Sequence, residues 1–248
     1  MNKLILAFPY HDPRGVYNKI FEKNLGLLKS IFTKMYISAT PATTEENGNF
    51  LNLLEMEGCL IFRNKKDSNI GEHFRNALFD YNNYRDIPVY YGFIDRILFA
   101  LESNHKEFFI QDITTKFDHD LLIFGRSNRA WRTHPKEYYS IENIVSDIGE
   151  IFTGKRFDWI WCGCKFNQSV AEAILKKSKS SDFSILAEFI LITDKENRSI
   201  KQKDVDWLEW EDPFWCPGKN KELPISFGEC RFRLNYCIEA LKMFHNIL

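Results

Sequence analysis

The residues best placed to do chemistry fall in a few short stretches. Val89-Tyr90-Tyr91-Gly92 is an apolar run that gives way to Phe93-Ile94-Asp95-Arg96, so a carboxylate and a guanidinium arrive where a strand hands over to a helix. In an open α/β sheet, ligands bind at the carboxyl ends of the strands. Upstream, Asp67-Ser68-Asn69-Ile70-Gly71-Glu72 opens another helix, with Arg75 following. Bare amides at a helix start beside an arginine suit a phosphate, while Asn69 with Glu72 three positions on also reads as an ordinary capping box. A third stretch, Gly125 to Pro135, gathers Arg126, Arg129, Arg132, His134 and Trp131 just past an apolar run. It is either a ligand-facing loop or a solvated basic one.

Acidic residues supply the remaining candidates. Glu188 interrupts the otherwise apolar run from Phe183 to Ile192. A carboxylate buried there must be paired, wall a pocket or be protonated. Glu209, Glu211 and Asp212 stand among Trp207, Trp210 and Trp215, either as hard-oxygen ligands for a cation or as a solvated acidic edge.

Positioning these groups requires a sheet. Leu4 to Phe8 and Met35 to Ala39 read as buried strands around an amphipathic helix over 16–32, and a helix over 45–56 leads to a third strand, Cys59 to Phe62. This β-α-β-α-β order calls for a mostly parallel sheet with helices on both faces. Right-handed crossovers then bring the Pro9 loop, the Thr40 loop, the Asp67 loop and Asp95 to one edge. Further on, the pattern predicts helices over 70–82, 106–116, 140–152 and 169–177, and strands at 89–92, 121–124 and 157–164. Alternation over 205–211 suits an edge strand. A last helix over 227–248 would pack on the sheet through Phe227, Cys230, Leu234, Cys237 or Ile238, Leu241, Phe244 and Leu248.

Composition narrows the function classes. The chain has 248 residues, 33 basic and 34 acidic, for a net charge of -1, which leaves no electrostatic footprint for nucleic acid or a membrane surface. No apolar run is long enough to span a bilayer and no leader precedes the first strand, so a cytoplasmic protein is expected. The six cysteines form no CxxC pair, and Cys162 and Cys164 read as core residues of a buried strand. No repeat or linker divides the chain, so one domain is expected over 1–248. The first turn lacks GxGxxG, which argues against a dinucleotide-dependent hydride transfer.

In order and spacing, Pro9-Tyr10, Gly71 to Arg75, Tyr91 to Arg96, Gly125 to Pro135, Ala187-Glu188 and Leu208 to Glu211 resemble a bacterial group of nucleotide-sugar glycosyltransferases of GT-A fold, distantly related to the mannosylglycerate synthases. The resemblance implies one GT-A-like, Rossmann-like α/β domain with a nucleotide-binding half over about 1–100 and an acceptor-side half over about 101–248. Its implied partners are a nucleoside-diphosphate sugar and a carbohydrate or small-molecule acceptor. Pro9, Tyr10 and Asp67 would hold the nucleoside. Gly71, Arg75, Arg96, Arg126 and Arg129 would offset the diphosphate charge, Glu188 would face the sugar or acceptor, and His134 or the segment from Glu209 to Asp212 would close over the site. The group's Asp-x-Asp, which holds Mn²⁺ or Mg²⁺, falls on Phe93-Ile94-Asp95, and its Asp-Ala-Glu-Trp falls on Leu186-Ala187-Glu188-Phe189. Asp95 is thus the implied metal ligand, and Asp95 and Glu188 the implied catalytic acids. With one acid missing from each motif, a domain that binds a nucleotide or glycan without turnover is the second reading.

Overall fold

The structure is a computed structural model that describes residues 3–84, 86–222 and 225–245. Among the described residues seven strands form one sheet: β1 (Ile5–Tyr10), β2 (Lys34–Ala39), β3 (Leu60–Arg63), β4 (Val89–Gly92), β5 (Leu121–Arg126), β6 (Gly163–Phe166) and β7 (Ile200–Val205). Their order is β3-β2-β1-β4-β6-β5-β7. All neighbours run parallel except β6, which is antiparallel to both β4 and β5. From β1 the chain moves outward to β2 and β3, then returns to place β4 on the other side of β1. The gap between the carboxyl ends of β1 and β4 is therefore the switch point at which such sheets bind ligands.

The helices are α1 (Asn18–Ile31), α2 (Pro41–Glu46), α3 (Gly48–Met56), α4 (Ile70–Asn76), α5 (Ile94–Glu102), α6 (Lys106–Thr114), α7 (Asn128–Thr133), α8 (Lys136–Thr153), α9 (Gln168–Lys177), α10 (Ile185–Lys195), α11 (Asp212–Trp215) and α12 (Phe227–His245). Successive strand residues serve opposite faces, as the pleat requires. Leu6 and Phe8 of β1 pack with Phe21 and Leu28 of α1, Leu51 of α3, Leu98 of α5 and Phe109 of α6. Ile5 and Ala7 pack on the other face with Phe74 of α4, Val145 of α8, Ile174 of α9, Ile190 of α10 and Phe244 of α12. Helices thus cover both faces, and among the described residues no helix is long and apolar enough to cross a membrane.

Several local expectations change. The predicted helix over 45–56 is two helices, α2 and α3, meeting at Asn47, whose side chain donates to the Asp12 carbonyl at 3.0 Å. The strand expected over 157–164 begins only at Gly163. Trp159 and Trp161 lie before it, packed edge-on against Phe244 and hydrogen-bonded to the Leu186 carbonyl respectively. Where an edge strand is expected over 205–211, β7 instead ends at Val205, and the adjacent Trp207 and Leu208 are both buried, which alternation forbids. The buried stripe of α12 is Tyr236, Cys237, Ala240 and Phe244, whereas Phe227 and Leu234 face outward, and the helix packs on α8 and α10. Leu248 lies outside the described residues. Cys164 is core as expected, but Cys162 is part-buried.

One packing detail lies under the site. Gly92 of β4 pairs with Gly163 of β6, and the Tyr90 ring covers the two. A Cβ at Gly163 would stand 2.6 Å from the Tyr90 hydroxyl.

Candidate active site

A cleft of about 670 Å³ opens at the switch point. β1 delivers Pro9 and Tyr10, the turn into α2 delivers Thr40 and Pro41, the exit of β3 delivers Lys66 and Ser68, α4 adds His73 and Phe74, and β4 hands over Phe93 and Asp95. The four loops that the crossover rule assigns to one edge do meet there. Sequence reasoning missed Lys66, His11 and His73, which carry no motif and are brought in by topology.

The β1 exit loop is shaped by Asp12. Its carboxylate accepts from the backbone amides of Val16 at 2.8 Å and Tyr17 at 2.9 Å, and its own amide donates to Thr43 Oγ1 at 2.8 Å. Burial, with Asp12 beside it, raises the Tyr10 hydroxyl pKa far above its ordinary value, so the phenol stays neutral. His73 is held below its ordinary pKa by burial, and its Nε2 is buried with no hydrogen-bond partner. Phe74, Phe93, Phe183 and Phe232 provide an aromatic wall.

A second cavity, about 290 Å³, adjoins the first behind α5. It is built on charged pairs. Arg126 gives Nε and Nη2 to Asp158 at 2.9 and 2.7 Å and Nη1 to Glu142 at 2.6 Å. Arg233 also pairs with Glu142, which accepts from the Tyr236 hydroxyl at 2.7 Å. Arg96 pairs with Glu211 and donates to the Glu209 carbonyl at 3.2 Å. Burial alone would raise the Glu142 carboxyl, but Arg126, Arg233 and Tyr236 overcome it and hold it down to about 2.

Phe93, Asp95, Phe183 and Phe232 line both cavities, and Asp95 is the titratable group of the four. It sits in the first turn of α5, where the helix amides favour an anion. Burial raises its pKa against the pull of Arg96 and two backbone amides, and Asp212 raises it further.

No protein-family model and no curated protein sequence matches this chain. Solved structures do. Glucosyl-3-phosphoglycerate synthase from Mycobacterium tuberculosis, in complex with Mn²⁺, UDP and phosphoglyceric acid, superposes with a TM-score of 0.57 over 98% of this chain and 78% of its own, at 9% identity. The chain has a GT-A-like fold. A weaker likeness, with a TM-score of 0.46 at 12% identity over 98% of this chain and 99% of the other, is to a protein from Desulfovibrio desulfuricans G20 provisionally described as a nucleotide-diphospho-sugar transferase.

Within this GT-A-like fold, the residues singled out by sequence separate into two groups. Pro9, Tyr10 and Asp95 line the first cleft, and Asp95, Arg96 and Arg126 line the second. Asp67 is exposed beside the first cleft, between lining residues Lys66 and Ser68. Arg129 is exposed, with Asp206 and Glu209 each 3.5 Å away. His134 is buried, its Nδ1 against the Ala130 carbonyl at 2.9 Å, and burial together with Arg96 and Arg126 keeps it neutral.

Gly71, Arg75 and Glu188 form a group of their own. The space beside Gly71 is filled by the Ser180 carbonyl, which a Cβ would meet at 1.7 Å. Arg75 donates to that carbonyl at 2.7 Å. Glu188 accepts from the Ser178 hydroxyl, from the Lys179 amide at 2.8 Å and from the Ser180 amide at 3.2 Å. None of the three lines either cavity, and together they tie α4 and α10 to the turn over 178–181.

Among the described residues no three His, Cys, Asp or Glu side chains lie close enough to cage a metal ion. Asp95 brings a hard oxygen to the cavity junction, and Asp212 lines the second cavity but is paired with Lys219 at 2.7 Å. This donor set fits an ion held chiefly by substrate phosphate oxygens with Asp95 as its protein ligand. It does not fit a cage of protein ligands.

Proposed function

We propose that the chain is a glycosyltransferase that moves a sugar from a nucleoside-diphosphate sugar to a hydroxyl-bearing acceptor. The observation that carries this reading is the meeting of two cavities at Asp95, on the switch point of a GT-A-like sheet. The nucleoside would lie between the Pro9-Tyr10 loop and α4, with its base against the aromatic wall and its diphosphate directed toward Lys66 and the first turn of α5. The sugar would then sit at Phe93 and Asp95, and the acceptor would enter from the second cavity.

In such a transfer the acceptor oxygen bonds to the anomeric carbon as the bond to the diphosphate breaks, the diphosphate leaves with the electron pair, and the acceptor's hydroxyl proton passes to an oxygen of the departing diphosphate. The developing negative charge must be offset by cations or oriented amides. Lys66 and the α5 amides supply part of this, and a divalent cation held on Asp95 and the phosphate oxygens would supply more charge. Arg96 and Arg126, which are committed to carboxylates, fix the frame of the acceptor cavity. Glu188 acts through the turn over 178–181, whose neighbour Phe183 lines both cavities.

Calorimetry with UDP-, GDP-, CDP- and dTDP-sugars, each with and without Mn²⁺, tests the reading. Binding of one donor, lost in Asp95→Ala, is expected. A protein that binds none of them would sink it. Binding without any release of nucleoside diphosphate favours instead the non-catalytic domain suggested by the solitary Asp95.

A further inference from the structure

Resting on that reading, we infer that the acceptor is an uncharged, hydroxyl-rich molecule, a sugar or a polyol, and not a phosphate or carboxylate. The second cavity is rich in arginine, yet among the described residues each of its guanidiniums is paired with a carboxylate. Its lining counts three guanidiniums, on Arg96, Arg126 and Arg233, against four carboxylates, on Asp95, Glu142, Glu211 and Asp212. Arg126 is committed to Asp158, to Glu142 and to the Ile160 carbonyl at 3.2 Å. Arg233 is held by Glu142 and the Tyr236 hydroxyl, with its guanidinium over the Tyr138 ring at 3.3 Å. Arg96 is held by Glu211 and the Glu209 carbonyl. Arg96 and Arg233 engage their carboxylates through Nη1 alone, but an entering anion would still add its charge to a lining that carries four carboxylates against three guanidiniums, which is unfavourable in a buried site.

The carboxylates are similarly committed. Glu142 is shared by two arginines, Glu211 holds Arg96, and Asp212 holds Lys219. Asp95 is the exception, and it faces the junction with the donor cleft. The proposed function gives Asp95 to the donor side, so a cationic acceptor would find no further uncommitted carboxylate in the cavity. What the cavity does offer is paired acceptors and donors able to share further hydrogen bonds with hydroxyl groups, beside the apolar rings of Phe183 and Phe232, which stand nearly perpendicular to each other. Phe232 is 58% exposed although it stacks edge-on against Phe183 and Tyr236, so its free face is turned outward at the rim of both cavities. An apolar ring face below and hydroxyl partners around it are what a pyranose or a polyol chain requires, because such molecules carry C–H faces and O–H edges.

The experiment uses the whole chain. Saturation-transfer NMR and calorimetry are run with a neutral pool (glycerol, inositol, methyl glucoside and methyl mannoside), an anionic pool (3-phosphoglycerate, glycerate and glucose 6-phosphate) and an amine pool (glucosamine and galactosamine). The neutral pool is expected to give signals that Phe232→Ala abolishes and that exceed the other pools by about 10-fold in affinity. Preference for the anionic or amine pool, or no binding from the neutral pool, overturns the inference. A charge-release variant checks the reasoning itself: Glu211→Gln frees Arg96 and is expected to strengthen 3-phosphoglycerate binding by about 10-fold over the wild type. Wild-type protein that already binds 3-phosphoglycerate as tightly as the variant also overturns it. Failure of the glycosyltransferase reading is separable, because it shows as absent donor binding, which these measurements do not involve.

Discussion

Replacing Glu188 by alanine removes the acceptor for the Lys179 and Ser180 amides and for the Ser178 hydroxyl, all at part-buried positions within one turn. Hydrogen bonds to a charged group contribute about 1.5–3 kcal/mol each, and a buried donor left without a partner costs about 1–3 kcal/mol. With two amides orphaned and the Ser178 hydroxyl released, the loss should be about 3–5 kcal/mol. In a chain of this size that corresponds to a fall in Tm of about 10 °C. Glu188→Gln retains one acceptor oxygen but points an amide donor at the backbone N–H groups, so it should lose about half as much. Urea unfolding of the three proteins measures the difference. Donor binding, measured by calorimetry well below either midpoint, should survive in Glu188→Gln with an affinity within about 3-fold of the wild type. An alanine variant as stable as the wild type, with turnover abolished, would refute this reasoning and restore Glu188 as a group that touches substrate.

Three further outcomes are expected. Gly71→Ala should displace the turn over 178–181 because its Cβ would meet the Ser180 carbonyl at 1.7 Å, a backbone clash that no rotamer relieves; a loss of about 3 kcal/mol or more in urea unfolding is expected, and a silent substitution would contradict the packing. Glu142, held down to about 2 from its ordinary 4.5, contributes on the order of 3 kcal/mol that is fully present above pH 4.5 and is lost as pH falls toward 2; wild-type stability should therefore fall more steeply than that of Glu142→Gln over this window, and parallel curves would show that the pairs with Arg126 and Arg233 contribute little. Phe93→Asp places a second carboxylate at the N-cap of α5, two positions before Asp95, and should make nucleotide binding respond to Mn²⁺ at least about 10-fold more strongly than in the wild type; calorimetry with and without the ion decides it.

The first half of the molecule was legible because its signals are local. Apolar runs ending at Pro9 and Thr40, the helical spacing of Phe21, Leu25 and Leu28, and Asn69 with Glu72 each state their element directly; both hydrogen bonds of the capping box are present. Alternation of strand and helix then forced the loops of β1 to β4 onto one edge, which is where the cleft lies. In the second half the decisive partners are distant. Trp159 to Cys162 is as apolar as a strand, but its indoles are buried under α10 and α12, and the run is a turn. The resemblance puts Gly71 beside the diphosphate, whereas the space next to it is filled by the Ser180 carbonyl of the protein itself. Arg126 was visible as a charge in a ligand-facing stretch, yet its carboxylates, Glu142 and Asp158, come from other elements and turn a presumptive phosphate ligand into part of a buried lattice.

The bare pair of glycines where β4 meets β6 links residues that are far apart in the chain. With the Tyr90 hydroxyl only 2.6 Å from where a Cβ on Gly163 would stand, position 163 can accept a side chain only if Tyr90 shifts or gives up its hydroxyl. The two sites therefore change together or not at all. A drift of sequence that enlarged Gly163 alone would lift the floor beneath Phe93 and Asp95 and alter the reach between donor and acceptor, while a matched exchange of bulk would leave the sheet intact. Redesign of substrate spacing in this molecule has a natural handle there, beneath the site and out of contact with anything that binds in it.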